Sequence, residues 1–206
     1  MTPPPWLQPV TLAGRHVRLV PLSPAHVPGL WEVADDEDLW RWTMASVRSE
    51  ADLRRYVEAA LAAQAAGSAL PFATTEAGTG RLVGSTRFGA ADRANRRVEI
   101  GWTWVGRPWQ RTAVNTEAKY LMLRHAFETL GCVRVELKTD VLNQRSRNAM
   151  LRIGAREEGI LRKHQITDGG RVRDTVYYSI VDDEWPAVRG RLEGMVARPH
   201  PAPAAR

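Results

Sequence analysis

The chain has 206 residues, 44% of them hydrophobic, which suffices for one domain with a substantial apolar core. Its formal charge of +6 is carried by scattered arginines and favours anions in general. It contains no block of about five or six like charges, so a nucleic-acid partner is not expected. No apolar run approaches the ~18 residues that span a bilayer, the Met1-Thr-Pro-Pro-Pro start lacks a signal-peptide pattern, and Cys132 is alone, which excludes an internal disulfide and a Cys-rich metal site. A cytoplasmic protein with no membrane partner and no bound metal is the expectation.

Residues 1–9 and 197–206 are rich in proline without periodicity and read as loose tails around a single domain, 10–196. Gly14 to Val20 alternates polar with apolar residues and predicts a first strand. Ser23-Pro24 is an N-cap followed by a proline at the first helical position, so a short helix starts there. Asp35 to Asp38 then precedes Trp40-Arg-Trp42. Acidic groups beside aromatic rings suit a cationic amine, and an acidic helix end with two packing tryptophans fits the same residues. Ser49 and Asp52 form a capping box for a helix whose apolar stripe is Leu53, Tyr56, Val57, Ala60 and Leu61, with Gly67 at its end. Leu70 to Thr75 and Arg81 to Phe88 flank the turn Gly78-Thr79-Gly80, a hairpin.

Arg97 to Val105 is the third of these strands, with Val98, Ile100, Trp102 and Trp104 assigned to one face and Glu99, Gly101 and Thr103 to the other. A long helix follows from Asn115 to Leu130. Its stripe is Tyr120, Leu123, Phe127 and Leu130, with Glu117, Arg124 and Glu128 pointing away. Cys132 reads as a small buried filler. Val133, Val135 and Leu137 mark a half-buried strand, and a helix through Ala149, Met150 and Ile153 ends at Gly154. Strands Ile160 to Gln165 and Val172 to Val181 surround Asp168-Gly169-Gly170, and a last short helix starts near Asp183. Strand–helix–strand crossovers in the second half argue for parallel pairing there, and the glycine hairpin for antiparallel pairing in the first. The expected class is α/β (α+β): a mixed central sheet with helices on both faces.

The ordered pieces Val98-Glu-Ile-Gly-Trp102, Trp109-Gln110, Thr116-Glu-Ala-Lys119, His125-Ala-Phe127, Arg134-Val135, Thr139-Asp140, Asn143-Gln-Arg-Ser146, Ile153-Gly-Ala155 and Glu158-Gly-Ile-Leu-Arg162 resemble the GCN5-related N-acetyltransferase (GNAT) superfamily. The likeness is to its ribosomal-protein alanine acetyltransferase (RimJ/RimL-type) branch, and the element order extends it over about residues 14–185. The resemblance implies a mostly antiparallel sheet with a parallel pair in its middle. It also implies an enzyme that moves an acetyl group from acetyl-CoA, without a metal, to a primary amine on a protein N-terminus or a small molecule. A non-catalytic acyl-CoA-binding or interaction module on the same fold is the alternative. Aromatic-rich surfaces are compatible with a homodimer.

The pyrophosphate of acetyl-CoA suits a helix N-terminus, where unpaired N–H groups and the dipole favour an anion. Gln110, Arg111, Thr112, Ala113, Val114, Asn115 and Thr116 lead into the longest helix and are assigned to it, though Asn115 or Thr116 also reads as a plain N-cap. The superfamily loop is Gln/Arg-x-x-Gly-x-Gly/Ala; here Ala113 and Asn115 stand at the small-residue positions. The resemblance further makes Trp104 and Val105 part of a strand that splays from its neighbour to meet the pantetheine arm, and Glu99 a general base. Asn143 and Ser146 face the cofactor, with Ser146 able to protonate the leaving sulfur. As residues alone, Glu99 also reads as a surface carboxylate with a local partner, and Asn143 and Ser146 as helix capping. Trp40, Trp42 and Tyr177 are the candidate acceptor contacts.

Overall fold

Alternating and fully apolar runs become strands, and stripes at helical spacing become helices, in the computed structural model, which describes residues 6–199. The strands are Leu12–Ala13 (β1), Val17–Pro21 (β2), Leu70–Glu76 (β3), Leu82–Asp92 (β4), Arg97–Val105 (β5), Arg134–Asp140 (β6), Arg156–Ile166 (β7) and Val172–Val181 (β8). The helices are Val27–Ala34 (α1), Glu37–Trp40 (α2), Glu50–Ala65 (α3), Ala113–Arg124 (α4), Gln144–Ile153 (α5) and Trp185–Ala197 (α6). The described strands form one sheet in the order β1-β2-β3-β4-β5-β6-β8-β7. Every pairing is antiparallel except β5 with β6, which the α4 crossover makes parallel. The second crossover, through α5, carries β7 to the sheet edge, and β8 returns between β6 and β7. Parallel pairing is therefore confined to one place rather than spread over the second half.

β3 buries every residue but Glu76, and β4 buries the run from Val83 to Gly89, as strands covered on both faces do. α1 and α3 pack together against β3 and β4, while α4 packs on α6 and reaches β2, and α5 lies against β6 and β7. The Ser49 hydroxyl accepts from the Asp52 amide at 3.1 Å and the Asp52 carboxylate accepts from the Arg48 amide at 3.0 Å, one residue before the N-cap of the expected capping box, and Gly67 at φ +73° closes α3 in the left-handed region that glycine tolerates.

Several elements differ from the sequence expectation. α4 begins at Ala113, capped by Thr112, and its last turn, His125–Thr129, is a π-helix. Glu117 does not point to solvent; it is buried and accepts from the backbone amides of Arg15 (2.8 Å), His16 (2.6 Å) and Val17 (2.8 Å). β7 starts at Arg156 rather than Ile160, and the last helix, α6, is not short but spans 13 residues. The tail assignment lies outside the described residues at 1–5 and 200–206, but Leu7 is buried and the Trp6 indole donates to the Leu130 carbonyl at 3.3 Å.

Candidate active site

β5 carries the defining irregularity. Ser85 pairs with Trp104 but Arg87 pairs with Gly101, so two residues of β5 oppose Thr86 alone: a β-bulge. Trp102 takes φ +50° and its ring lies out over the Arg87 guanidinium, 4.7 Å away. The extra residue reverses the alternation beyond it. The Thr103 hydroxyl meets α4, and Trp104 packs on Trp40 with ring centroids 5.3 Å apart. Trp104 is thus on the face of Glu99, not on that of Val98 and Ile100 as strict alternation predicts.

The parallel ladder between β5 and β6 ends at Glu99 opposite Glu136, although both strands run on. Beyond that point the carbonyls of β5 are met by side chains instead. Thr103 Oγ1 donates to Gly101, Tyr56 to Trp102 at 3.2 Å, and Gln110 Nε2 to Val105 at 2.9 Å. A cavity of about 640 Å³ opens there, lined by Trp40, Trp42, Glu99, Trp104, Val105, Gln110, Arg111, Thr112, Asn115, Asn143 and Ser146 among the expected site residues. Ala113, Val114 and Thr116 are buried in the first turn of α4 behind that surface. Tyr177 lies to one side on β8, edge-on to His164 at 5.7 Å.

Two helix N-termini meet at the mouth. Thr112 caps α4, and Asn143 caps α5 by accepting from the Ser146 amide at 3.0 Å. Gln110 joins them, since its amide oxygen accepts from Arg145 at 3.0 Å. The positive φ of the loop falls on Arg111 (+64°), whereas Ala113 and Asn115 are ordinary helical residues. Their departure from glycine therefore imposes no backbone strain. The surroundings suit a pyrophosphate: two positive helix ends, Arg111 and Arg145, and Arg152, which donates to Thr116 at 3.0 Å. Asn115 Oδ1 is buried without a donor, and turning that amide over would aim an N–H at the same space. Arg147, by contrast, is held by Tyr178 and Glu157 and does not line the cavity.

Inside, Glu99 is 3% exposed and its Oε2 lies 2.8 Å from Lys138 Nζ on β6, so its partner is neither Arg96 nor Arg97. Behind it, Lys119 of α4 donates to Thr103 Oγ1 at 2.8 Å. Burial pushes the Lys119 amine down to about 7, an effect Glu99 partly opposes. Ser146 lines the cavity and its hydroxyl has no hydrogen-bond partner among the described residues. The Asp35–Asp38 run does not reach the cavity; Asp36 and Asp38 hold Arg107. Cys132 is buried, which pushes its thiol up to about 11 and suits a filler rather than a nucleophile.

Sequence reasoning missed Lys119, Tyr56 and Lys138 as cavity residues. A signal existed for the first: Lys119 follows Asn115 by four positions and precedes Met122 by three, so all three share one helix face. Lys138 had none, because only strand pairing places it beside Glu99. Among the described residues no group of three or more His, Cys, Asp or Glu could hold a metal, and no helix is long and apolar enough to cross a membrane.

Residues 16–156 match the family described as Acetyltransferase (GNAT) domain. The chain is 35% identical over 106 residues to a Bacillus subtilis protein named "Putative ribosomal N-acetyltransferase YdaF", a match spanning 52% of this chain and 57% of that relative. A crystal structure of a GCN5-related N-acetyltransferase from Brucella melitensis superposes with a TM-score of 0.86 at 31% identity, over 94% of this chain and 88% of that one. Mycobacterium smegmatis RimJ in complex with CoA-disulfide gives a TM-score of 0.75 at 25% identity, over 90% and 91% of the two chains.

Proposed function

Because the chain belongs to the GNAT acetyltransferase family, in its RimJ/RimL-like branch, we propose that it transfers the acetyl group of acetyl-CoA directly to a primary amine, on a protein N-terminus or a small molecule. The observation that carries this reading is the divergence of β5 and β6 into a slot with two helix N-termini at its mouth and Glu99 within it. The thioester supplies an activated acyl group. The chain's own residues do the rest.

The first turn of α4 and the capped start of α5 hold the diphosphate, with Arg111 and Arg145 beside it. Trp104 and Val105 flank the pantetheine arm, whose amides take the place of the missing ladder. Glu99 accepts the amine proton, directly or through a water, and Lys138 at 2.8 Å balances its charge while it waits. Ser146, with its hydroxyl uncommitted, donates to the departing sulfur. Trp40 and Trp42 wall the acceptor entrance.

Calorimetry with acetyl-CoA, followed by thiol release measured on a panel of amines, tests this reading. Binding together with turnover of at least one amine supports it. Binding with no turnover on any amine makes the chain an acyl-CoA-binding module instead, and no binding refutes both.

A further inference from the structure

Among the described residues, Arg173 is the one charge lining the cavity that the acetyl-transfer reading leaves unused and that no hydrogen bond or ion pair takes up. It is 5% exposed, lines the cavity, and makes no hydrogen bond or ion-pair contact among the described residues. Its Nε is sealed from solvent without an acceptor. The acidic groups that could serve it are committed: Asp140 to Arg171, and Glu99 to Lys138. Gln165, directly opposite on β7, also lines the cavity, and its buried Oε1 lacks a donor. Asp140 and Glu99 act on the guanidinium only at a distance, so its N–H groups are left for a molecule in the cavity.

The sheet register places this pair on the acceptor side. Lys138 opposes Tyr177 and Asp140 opposes Thr175, so Arg173 shares the face of Lys138 and Glu99. Close by in the chain, the turn between β7 and β8 meets the 42–46 loop. There the Asp168 amide donates to the Met44 carbonyl at 3.0 Å, and Arg171 lies 5.4 Å over Trp42. Arg173 lies four residue steps before Tyr177 on β8, about 13 Å of strand, part of which the arginine side chain spans. An anion held there sits several bonds from the reacting nitrogen, not on the adjacent carbon.

We propose that Arg173 and Gln165 form an acceptor subsite for a carboxylate, so that the preferred amines carry an acidic group a few bonds from the nitrogen that is acetylated. Arg173 grips the carboxylate through its guanidinium fork, and Gln165 Oε1 accepts from an N–H of the same molecule. The proposal rests on the acetyl-transfer reading for its orientation, but its core claim is one of binding. Two sources share this chemistry: a peptide with Asp or Glu among its first residues, and a small amino acid whose distal amine reacts.

The test is calorimetry on acetyl-CoA-loaded protein with matched ligands: peptides Ala-Glu-Ala and Ala-Gln-Ala, both amidated, and lysine against lysine amide. The acidic member of one pair should bind at least about tenfold tighter to the parent protein. In Arg173→Met that preference should fall below about twofold with acetyl-CoA affinity unchanged. Whichever pair shows the preference identifies the source. Because burial disfavours the Arg173 charge and no hydrogen bond or ion pair within the described residues offsets it, Arg173→Met should fold with a Tm at or above the parent's. Equal binding of both members of both pairs, a preference that survives Arg173→Met, or a lowered Tm overturns the proposal. A failure of turnover with the binding preference intact would count against the transfer reading alone.

Discussion

Lys119 puts an amine on the inner side of α4, 8% exposed, where burial holds its pKa near 7 against about 10.4 in an unfolded chain. Between those values the unfolded state binds a proton that the folded state does not, so stability rises with pH across that window. Below about 7 both states are protonated and the full cost of the buried charge is present. Lys119→Met should therefore be more stable than the parent at pH 6, by up to roughly 4 kcal/mol, with the gap closing towards pH 10. Urea unfolding at stepped pH reads this, and a gap that does not change with pH would mean the amine keeps its proton when folded. Glu99 leads to a kinetic expectation. Glu99→Gln should lower kcat by about 10²-fold with acetyl-CoA affinity little changed, and should flatten the acidic limb of the pH–rate profile. An unaltered profile would remove Glu99 from the proton-transfer step.

At the scale of elements, α4 does two jobs from opposite ends of its first two turns. Its start lines the cavity where we propose the pyrophosphate binds, so Asn115→Asp should weaken acetyl-CoA binding by about tenfold or more by setting a carboxylate beside that anion, as calorimetry would show. One turn later Glu117 anchors the start of β2 through three backbone amides. Glu117→Ala should cost about 3 kcal/mol of stability and leave acetyl-CoA affinity nearly intact, which a denaturant titration and a binding isotherm separate. Most element positions were legible in the sequence, because capping residues and apolar spacing are local. Ser49, Gly67, Asn143 and Gly154 all mark helix ends where the pattern put them. What was not legible is non-local. Glu117 reads as a solvent residue because its partners are amides about a hundred positions earlier. Trp104 reads as a neighbour of Ile100 because nothing in the text announces the inserted residue at Trp102. Lys138 reads as any outward lysine until β6 is laid beside β5. For the same reason the sequence marked the cavity residues of one loop and two helix starts better than those that several strands share.

For the molecule as a whole, the sheet is continuous at β5 and β6 only as far as Glu99 and Glu136. Acetyl-CoA at one hundred times its Kd should raise the unfolding free energy by about 2.7 kcal/mol. It should also slow hydrogen exchange at those amides of 101–105 and 137–139 that turn towards each other across the slot. Exchange that slows only at the α4 and α5 N-termini would show that the strands themselves take no part in holding the cofactor. The parted strands have a second consequence, which concerns self-association. Two strand edges lacking their full ladder are the feature by which β proteins stick to one another, and this chain carries them at its centre rather than its rim. They are guarded by walls: α4 on one side, Trp40 and Trp104 on the other, and the Gln110–Arg145 clasp across the mouth. The covering that leaves a slot between the strands thus also keeps their open edges from pairing with other chains.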